Sequence, residues 1–166
     1  MPRLEFKDPT TTKIVNFLLE IGLEVKPSVI DEATFLPGIL IGQGVILVDE
    51  EKLKHPGDLL HEAGHLAVMP GDKRKRVQKD AGKKAAEEIM AIAWSYAALV
   101  HLELEPTVVF HADGYRGDSQ SLIENFTEGR TFGQPTLQWL GMTAEKKLAE
   151  ELGIEPYPHM IKWLRD

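Results

Sequence analysis

Apolar residues recur at helical spacing in three long segments of the chain and in several shorter ones. The long segments predict helices over residues 11–21, 58–69 and 78–104. The shorter ones predict further helices over residues 119–127, 135–141, 143–152 and 158–164. The threonines at 10–12 can cap the first helix, and Asp58 can cap the second.

Runs of β-branched and aliphatic residues predict short strands between these helices. Residues 38–41 and 45–48 are two such runs, and the Gly42-Gln43-Gly44 sequence that separates them favours a hairpin. Residues 107–111 (Thr-Val-Val-Phe-His) predict a third strand. Because strands and helices do not alternate regularly, the sequence predicts an α+β fold with a small, mostly antiparallel or mixed sheet.

Length and composition narrow the class of protein. A chain of 166 residues without a linker predicts one domain, and the absence of cysteine excludes disulfide, iron–sulfur and thiolate–zinc sites. A net charge of −7 makes nucleic-acid binding unexpected, although seven basic residues fall within residues 73–84. Neither a signal peptide nor an apolar run of about 20 residues is evident, so we expect a cytoplasmic protein that does not enter membranes.

The predicted second helix carries the sequence His61-Glu62-Ala63-Gly64-His65, an H-E-x-x-H spacing. Four residues make about one helical turn, so both imidazoles project from one face and can hold one metal ion. Glu62 lies about 100° round the helix, where it can reach a water bound to that ion. This arrangement indicates zinc-assisted hydrolysis with Glu62 as the general base. Gly64 inside a helix predicts that another element packs close to the backbone there.

A catalytic zinc site needs a third protein ligand besides the two histidines. A histidine of the metzincin type is excluded, because Gly71 occupies its place. On a helical wheel of the third predicted helix, Glu88 lies on the flank of the apolar face and Glu87 on the polar side. A buried carboxylate requires a partner, which favours Glu88 as the ligand. Other candidates stay open, namely Glu87, Asp72, Asp80 and His111.

The order of these features resembles a zincin of the gluzincin type: a strand, a short acidic connection, the H-E-x-x-H helix and a glutamate on the next long helix. Over residues 45–99 the chain is most similar to small intracellular metallopeptidases of the ImmA/IrrE type. The resemblance implies a zincin-like fold, in which the sheet packs on these two helices. It implies His61, His65 and Glu88 as zinc ligands and Glu62 as the general base. It also implies that an extended substrate pairs with a strand made of Val45, Ile46, Leu47 and Val48.

The polar loop at residues 111–118 is a source of groups that could stabilise an oxyanion. His111, Tyr115 and Arg116 are the candidates, since zincins use such side chains as electrophiles. The sequence as a whole predicts a single zincin-like domain over residues 1–166 that hydrolyses a peptide or protein substrate with zinc. The alternative is a catalytically inactive zinc-binding scaffold or regulatory protein with the same core. The oligomeric state is left open.

Overall fold

The computed structural model describes residues 3–79 and 85–166, which form a mixed α+β fold. The described elements are α1 (Pro9–Glu20), β1 (Val25–Pro27), β2 (Ile39–Gly42), β3 (Val45–Val48), α2 (Asp58–Val68), α3 (Gly71–Arg74), α4 (Ala85–His101), α5 (Ser119–Thr127), α6 (Gln134–Trp139) and α7 (Lys146–Leu152). Short 3₁₀ turns cover Pro106–Val108 and Tyr115–Gly117. The predicted α+β class is therefore confirmed.

Helix α1 begins two residues before its predicted start. Its N-cap is Asp8, whose carboxylate accepts hydrogen bonds from the backbone N–H groups of Thr10 and Thr11, at 3.4 and 3.1 Å. Pro9 occupies the first helical position, where a missing N–H costs nothing. The predicted cap within residues 10–12 is wrong, because those threonines already belong to the helix.

The sheet is mixed, with the strand order β1-β3-β2. Strands β2 and β3 form the predicted hairpin, in the register Gly42↔Val45. Its turn has positive φ at both Gln43 (50°) and Gly44 (78°), as a two-residue hairpin loop of type I′ requires. Strand β1, which the pattern of residues did not predict, pairs in parallel with β3. It is only three residues long, too short for an alternating pattern to be recognised.

Helices α2 and α4 pack closely against each other, and the contact is built around Gly64. A Cβ atom at this position would lie 2.9 Å from the carbonyl oxygen of Ala91 on α4. The Ser95 hydroxyl bridges the two helices, because it lies 2.7 Å from the Ala91 carbonyl and 3.2 Å from the Leu60 carbonyl. The predicted close approach at Gly64 is confirmed, and it determines which α4 residues face α2.

Two segments do not have the secondary structure predicted for them. Residues 107–111 do not form a strand: a 3₁₀ turn begins at Pro106, and Val109 and Phe110 are buried in the core without pairing to the sheet. The apolar pattern at residues 158–164 does not reflect a helix, because this segment runs past Thr143 and bridges to it through Met160. Burial among other elements explains the apolar residues Val109 and Phe110 in the first segment and Met160 in the second, whereas Ile161 is exposed.

The long helix predicted over residues 78–104 also begins too early. Lys79 is not helical; it pairs with Ile41 through two backbone hydrogen bonds at the outer edge of β2. The part of the prediction at residues 80–84, with the candidate ligand Asp80, lies outside the described residues. Helix α4 ends at His101, and a turn replaces its predicted last residues.

Candidate metal centre

His61 and His65 project from the same side of α2, one turn apart. Their ring centroids are 4.9 Å apart, and their planes are nearly perpendicular at 82°. The lone pair of an imidazole nitrogen lies in its ring plane, and two perpendicular planes intersect. Both rings can therefore direct a nitrogen lone pair at one ion. His65 is buried and His61 is half-buried, so water screens the pair only weakly.

Glu88, in the first turn of the described part of α4, faces both histidines. Its Oε2 atom accepts a hydrogen bond from His65 Nε2 at 2.6 Å, and its Oε1 atom lies 3.4 Å from His61 Nε2. The neighbouring Glu87 points elsewhere, and its carboxylate lies 3.5 Å from the ammonium group of Lys73. The contact between the helices at Gly64 brings the first turn of α4 to the histidine face of α2, which explains why Glu88 meets them.

The pKa shifts of His61 and Glu88 suit cation binding. Burial lowers the pKa of His61 to about 4, so its imidazole is neutral at pH 7 and keeps a lone pair for a ligand bond. Burial also acts to raise the pKa of Glu88, but the hydrogen bond from His65 and nearby positive charge outweigh it and leave the pKa below its ordinary value. Two imidazoles and one carboxylate form a donor set typical of catalytic zinc sites.

The positions of the donor atoms also fit a zinc ion. One ligand atom from each of His61, His65 and Glu88 lies within 4.8 Å of the others. Tetrahedral bonds of 2.0–2.1 Å would place the ligand atoms roughly 3.3 Å apart. The 3.4 Å distance from His61 to Glu88 already matches this spacing, whereas the 2.6 Å contact from His65 to Glu88 would have to lengthen. These three residues are therefore the ones that could hold the metal.

Glu62 is the next residue along α2 after His61, and its side chain is almost completely buried, at 5% exposure. Helical geometry turns it about 100° away from His61, so it does not take a ligand position beside the two imidazoles. Its predicted role as a general base stays a prediction.

Tyr115 reaches the same centre from the loop that follows the 3₁₀ turn at Pro106–Val108. Its hydroxyl lies 3.1 Å from His61 Nδ1, and the two rings meet edge to face at 5.3 Å. In the tautomer that leaves Nε2 free, the Nδ1–H group donates to this hydroxyl and fixes the orientation of the ring. The predicted catalytic residue Tyr115 therefore lies where it can position His61, whereas its predicted role towards an oxyanion stays untested.

His111 belongs to a second cluster, at the start of α2. Its Nε2 atom lies 2.7 Å from an oxygen of Asp58, so Asp58 binds this histidine and does not cap α2 as predicted. His111 therefore does not take the place of a third ligand beside His61 and His65. Its predicted catalytic role stays a prediction. The other described candidate, Asp72, is exposed and pairs with Arg76 on α3.

His55, His111 and Asp113 also bring their ligand atoms within 4.8 Å of one another. However, the rings of His55 and His111 are stacked, with centroids 3.6 Å apart and planes only 10° from parallel. A single ion cannot lie in both of two parallel ring planes. Lys54 also places its ammonium group 3.1 Å from the Asp113 carboxylate that His55 contacts. This cluster is therefore a hydrogen-bonded network, and nothing in the spacing of these residues along the sequence indicated it.

The prediction that Val45, Ile46, Leu47 and Val48 pair with a substrate strand is wrong. These residues form β3, the central strand of the sheet, with β1 on one side and β2 on the other. Ile46, Leu47 and Val48 pair with β1 on one edge and with β2 on the other, so no edge is free for an added strand along these residues, and Val45 pairs with Gly42 of β2. The sequence could not indicate this, because the pairing of β1 with β3 is not visible in the pattern of residues.

Compared with protein-family models, curated proteins and solved structures, the chain matches none of them. Within residues 3–79 and 85–166, no helix combines the length and the apolar character needed to cross a membrane.

Proposed function

We propose that this chain is a zinc-dependent peptidase with a zincin-like core. The observation that supports it most strongly is that the perpendicular imidazoles of His61 and His65 meet the carboxylate of Glu88. Glu62 follows His61 directly on the same helix. A chance surface cluster would not be expected to place one half-buried carboxylate in contact with two histidines. The resemblance of the H-E-x-x-H helix and the following glutamate to gluzincins supports the same proposal.

The proposed chemistry assigns one task to each side chain. His61, His65 and Glu88 would hold a zinc ion, which supplies a Lewis acid that makes a water molecule acidic enough to lose a proton near neutral pH. Glu62 would accept a proton from the attacking water as the water oxygen adds to the carbonyl carbon of the amide. Glu62 then donates the proton to the amine nitrogen as the C–N bond breaks, so that no net proton is consumed at the glutamate. Tyr115 keeps the His61 ring in place throughout.

The experiment that tests this proposal compares the wild type with Glu62→Gln, both purified without a histidine tag. We expect each protein to bind about one zinc ion per chain, because Glu62 is not among the three ligands. We expect only the wild type to cleave an unbiased peptide library, with the rate in the variant lower by about 10²–10⁴-fold. Glu151→Gln, an exposed position on α7, is the matched control and should cleave as the wild type does.

Two results would contradict the proposal, and they differ. If the wild type holds no zinc after dialysis against the metal, the three side chains do not form a metal site. A wild type that binds zinc tightly but cleaves no peptide would show a zinc-binding scaffold, in which the metal stabilises the fold without catalysis.

A further inference from the structure

The loop at residues 111–118 places the Tyr115 hydroxyl 3.1 Å from His61 Nδ1. Tyr115 and the next residue, Arg116, both have positive φ, at 56° and 54°. This left-handed conformation is unfavourable for residues with side chains, and it persists only where surrounding contacts impose it. The contacts that fix this loop therefore decide whether Tyr115 meets His61.

A stack of two imidazole rings joins the loop to the start of α2. The ring centroids of His55 and His111 are 3.6 Å apart, and the ring planes are 10° from parallel. Each ring also contacts a carboxylate: His111 Nε2 lies 2.7 Å from Asp58, and His55 Nε2 lies 2.8 Å from Asp113. All three contacts run between residues 55–58 and residues 111–113, so together they tie the loop to the beginning of α2.

The His55–His111 stack is linked to Tyr115 through the backbone of Gly114. A Cβ atom at Gly114 would lie 3.1 Å from Cε1 of His111, so the backbone at this position rests against the His111 ring. The Gly114 N–H group also donates to the His111 carbonyl oxygen at 3.2 Å, which closes a turn. Because Tyr115 is the next residue, a displacement of the His111 ring would shift the backbone that positions Tyr115.

The stack is buried on one side and open to solvent on the other. The side chains of Asp58 and His111 are 7% and 10% exposed, whereas those of His55 and Asp113 are 25% and 54% exposed. Solvent therefore screens the outer pair, and Lys54 shares the Asp113 carboxylate at 3.1 Å. His55 lies at the outer end of the stack, so its side chain can be replaced without opening the core.

We propose that His55 is a positioning residue of the proposed metal centre. Its ring holds the His111 ring in place, and the His111 ring holds the loop so that the Tyr115 hydroxyl stays against His61. A partner on the second nitrogen fixes the tautomer and the orientation of a metal-binding imidazole, and its loss typically weakens metal binding by roughly 10–100-fold. This inference rests on the proposed peptidase function, because it specifies what orients one of the three zinc ligands.

The first test measures the contact itself in the zinc-free protein, so it does not depend on metal binding. Nuclear Overhauser effects between the ring protons of Tyr115 and His61 report the edge-to-face contact, whose centroids are 5.3 Å apart. We expect these cross-peaks in the wild type and their loss in His55→Ala. His55→Phe keeps an aromatic ring against His111 and should retain them. The control His159→Ala, at an exposed histidine of the C-terminal segment, should also retain them.

The second test measures zinc affinity in a double-mutant cycle of His55→Ala and Tyr115→Phe, by competition with a chelator. Tyr115→Phe removes the hydroxyl that contacts His61, so we expect zinc binding to weaken by about tenfold. His55→Ala should have a similar effect, and the double variant should bind zinc as weakly as Tyr115→Phe and no weaker. A histidine that only stabilised the fold would lower the free energy of unfolding and leave the zinc affinity of the folded protein unchanged.

Cross-peaks that persist in His55→Ala, that are lost in His55→Phe or that are absent from the wild type would overturn the inference. Losses of zinc affinity that multiply in the double variant would also show that His55 does not act through Tyr115. If the cross-peaks depend on His55 but the wild type cleaves no peptide, His55 still orients His61 and only the peptidase proposal fails. If the wild type cleaves peptides and the cross-peaks do not depend on His55, the peptidase proposal stands and this inference fails.

Discussion

At the scale of single residues, the choice between two adjacent glutamates decides the composition of the proposed metal site. Glu88 lies between His61 and His65, while Glu87 turns towards Lys73. The helical wheel favoured the same residue, because positions on the flank of the apolar face of α4 point towards α2. The wheel could not supply the distances, which depend on how closely the two helices approach.

We therefore expect Glu88→Ala to weaken zinc binding much more than Glu87→Ala. Loss of a ligand should lower the affinity by at least the roughly 10–100-fold that loss of an outer-shell partner causes. Among the described residues, the contact of the Glu87 carboxylate is the long one with Lys73, so Glu87→Ala should change the affinity by less than about twofold. Competition with a chromophoric chelator at pH 7.5 measures both. Equal losses in the two variants, or a larger loss in Glu87→Ala, would show that the assignment of Glu88 as the ligand is wrong.

The loop that carries Tyr115 shows a second limit of reasoning from single residues. A polar loop with glycines was recognised as a source of functional side chains, and one of them does reach the centre. The Tyr115 hydroxyl contacts the Nδ1 atom of His61. No spacing of residues along the sequence could indicate this contact. Such a contact depends on two consecutive residues in the left-handed region, which sequence patterns favour only at glycine.

At the scale of elements, the packing of α2 on α4 fixes the geometry of the centre. Glycine in the interior of a helix costs about 1 kcal/mol relative to alanine. Glycine occupies position 64 despite this cost, because a Cβ atom there would collide with the backbone of α4. The separation of α2 and α4 thus depends on Gly64 having no side chain. The distance from Glu88 to the histidines depends on that separation.

Gly64→Ala should for this reason destabilise the protein, although it improves the helix propensity of α2. We expect the free energy of unfolding to fall by about 1–3 kcal/mol, as when a packed core is overfilled. Gly71→Ala on α3 is the control, because a Cβ atom there would have its nearest contact at 3.6 Å. Urea unfolding of the two variants measures the difference. A stabilised Gly64→Ala would mean that the helices can separate at no cost.

At the scale of the whole molecule, residues distant in sequence close the C-terminal end of α2. The Arg74 guanidinium group donates to the carbonyl oxygens of Leu66 (2.8 Å) and Met69 (3.1 Å). It also donates to the carbonyl of Arg165, whose own backbone N–H donates to Ala67 at 2.9 Å. The free carbonyls at the end of the H-E-x-x-H helix are thus satisfied by a neighbouring helix and by the C-terminal segment together.

Replacing Arg74 by Gln should remove these contacts and lower the free energy of unfolding by about 1–3 kcal/mol, since buried carbonyls lose their donors. Arg76→Gln is the matched control two residues away. Its side chain is 74% exposed and, within the described part of the chain, pairs only with Asp72, so its loss should change stability by less than about 0.5 kcal/mol. Thermal and urea unfolding of the variants compare the two. Equal effects would show that the basic segment acts only through its charge.

This network accounts for one member of the basic run at residues 73–76. The other three members are exposed, whereas the Arg74 side chain is directed into the fold. A run of like charges gives no sign of which member turns inward. That depends on where the end of α2 and the C-terminal segment meet.

The sequence by itself determined the α+β class, the hairpin, the helix that carries both histidines and the glutamate that faces them. These depend on spacing within one element, where helical and strand periodicity convert directly into direction. The tertiary structure alone decided that β3 is the central strand, that the segment after Pro106 is buried without pairing, and that Tyr115 contacts His61. Each of these is a meeting of segments far apart in the chain. The free energy of such contacts comes from burial and hydrogen bonding between elements, which no local pattern of residues records.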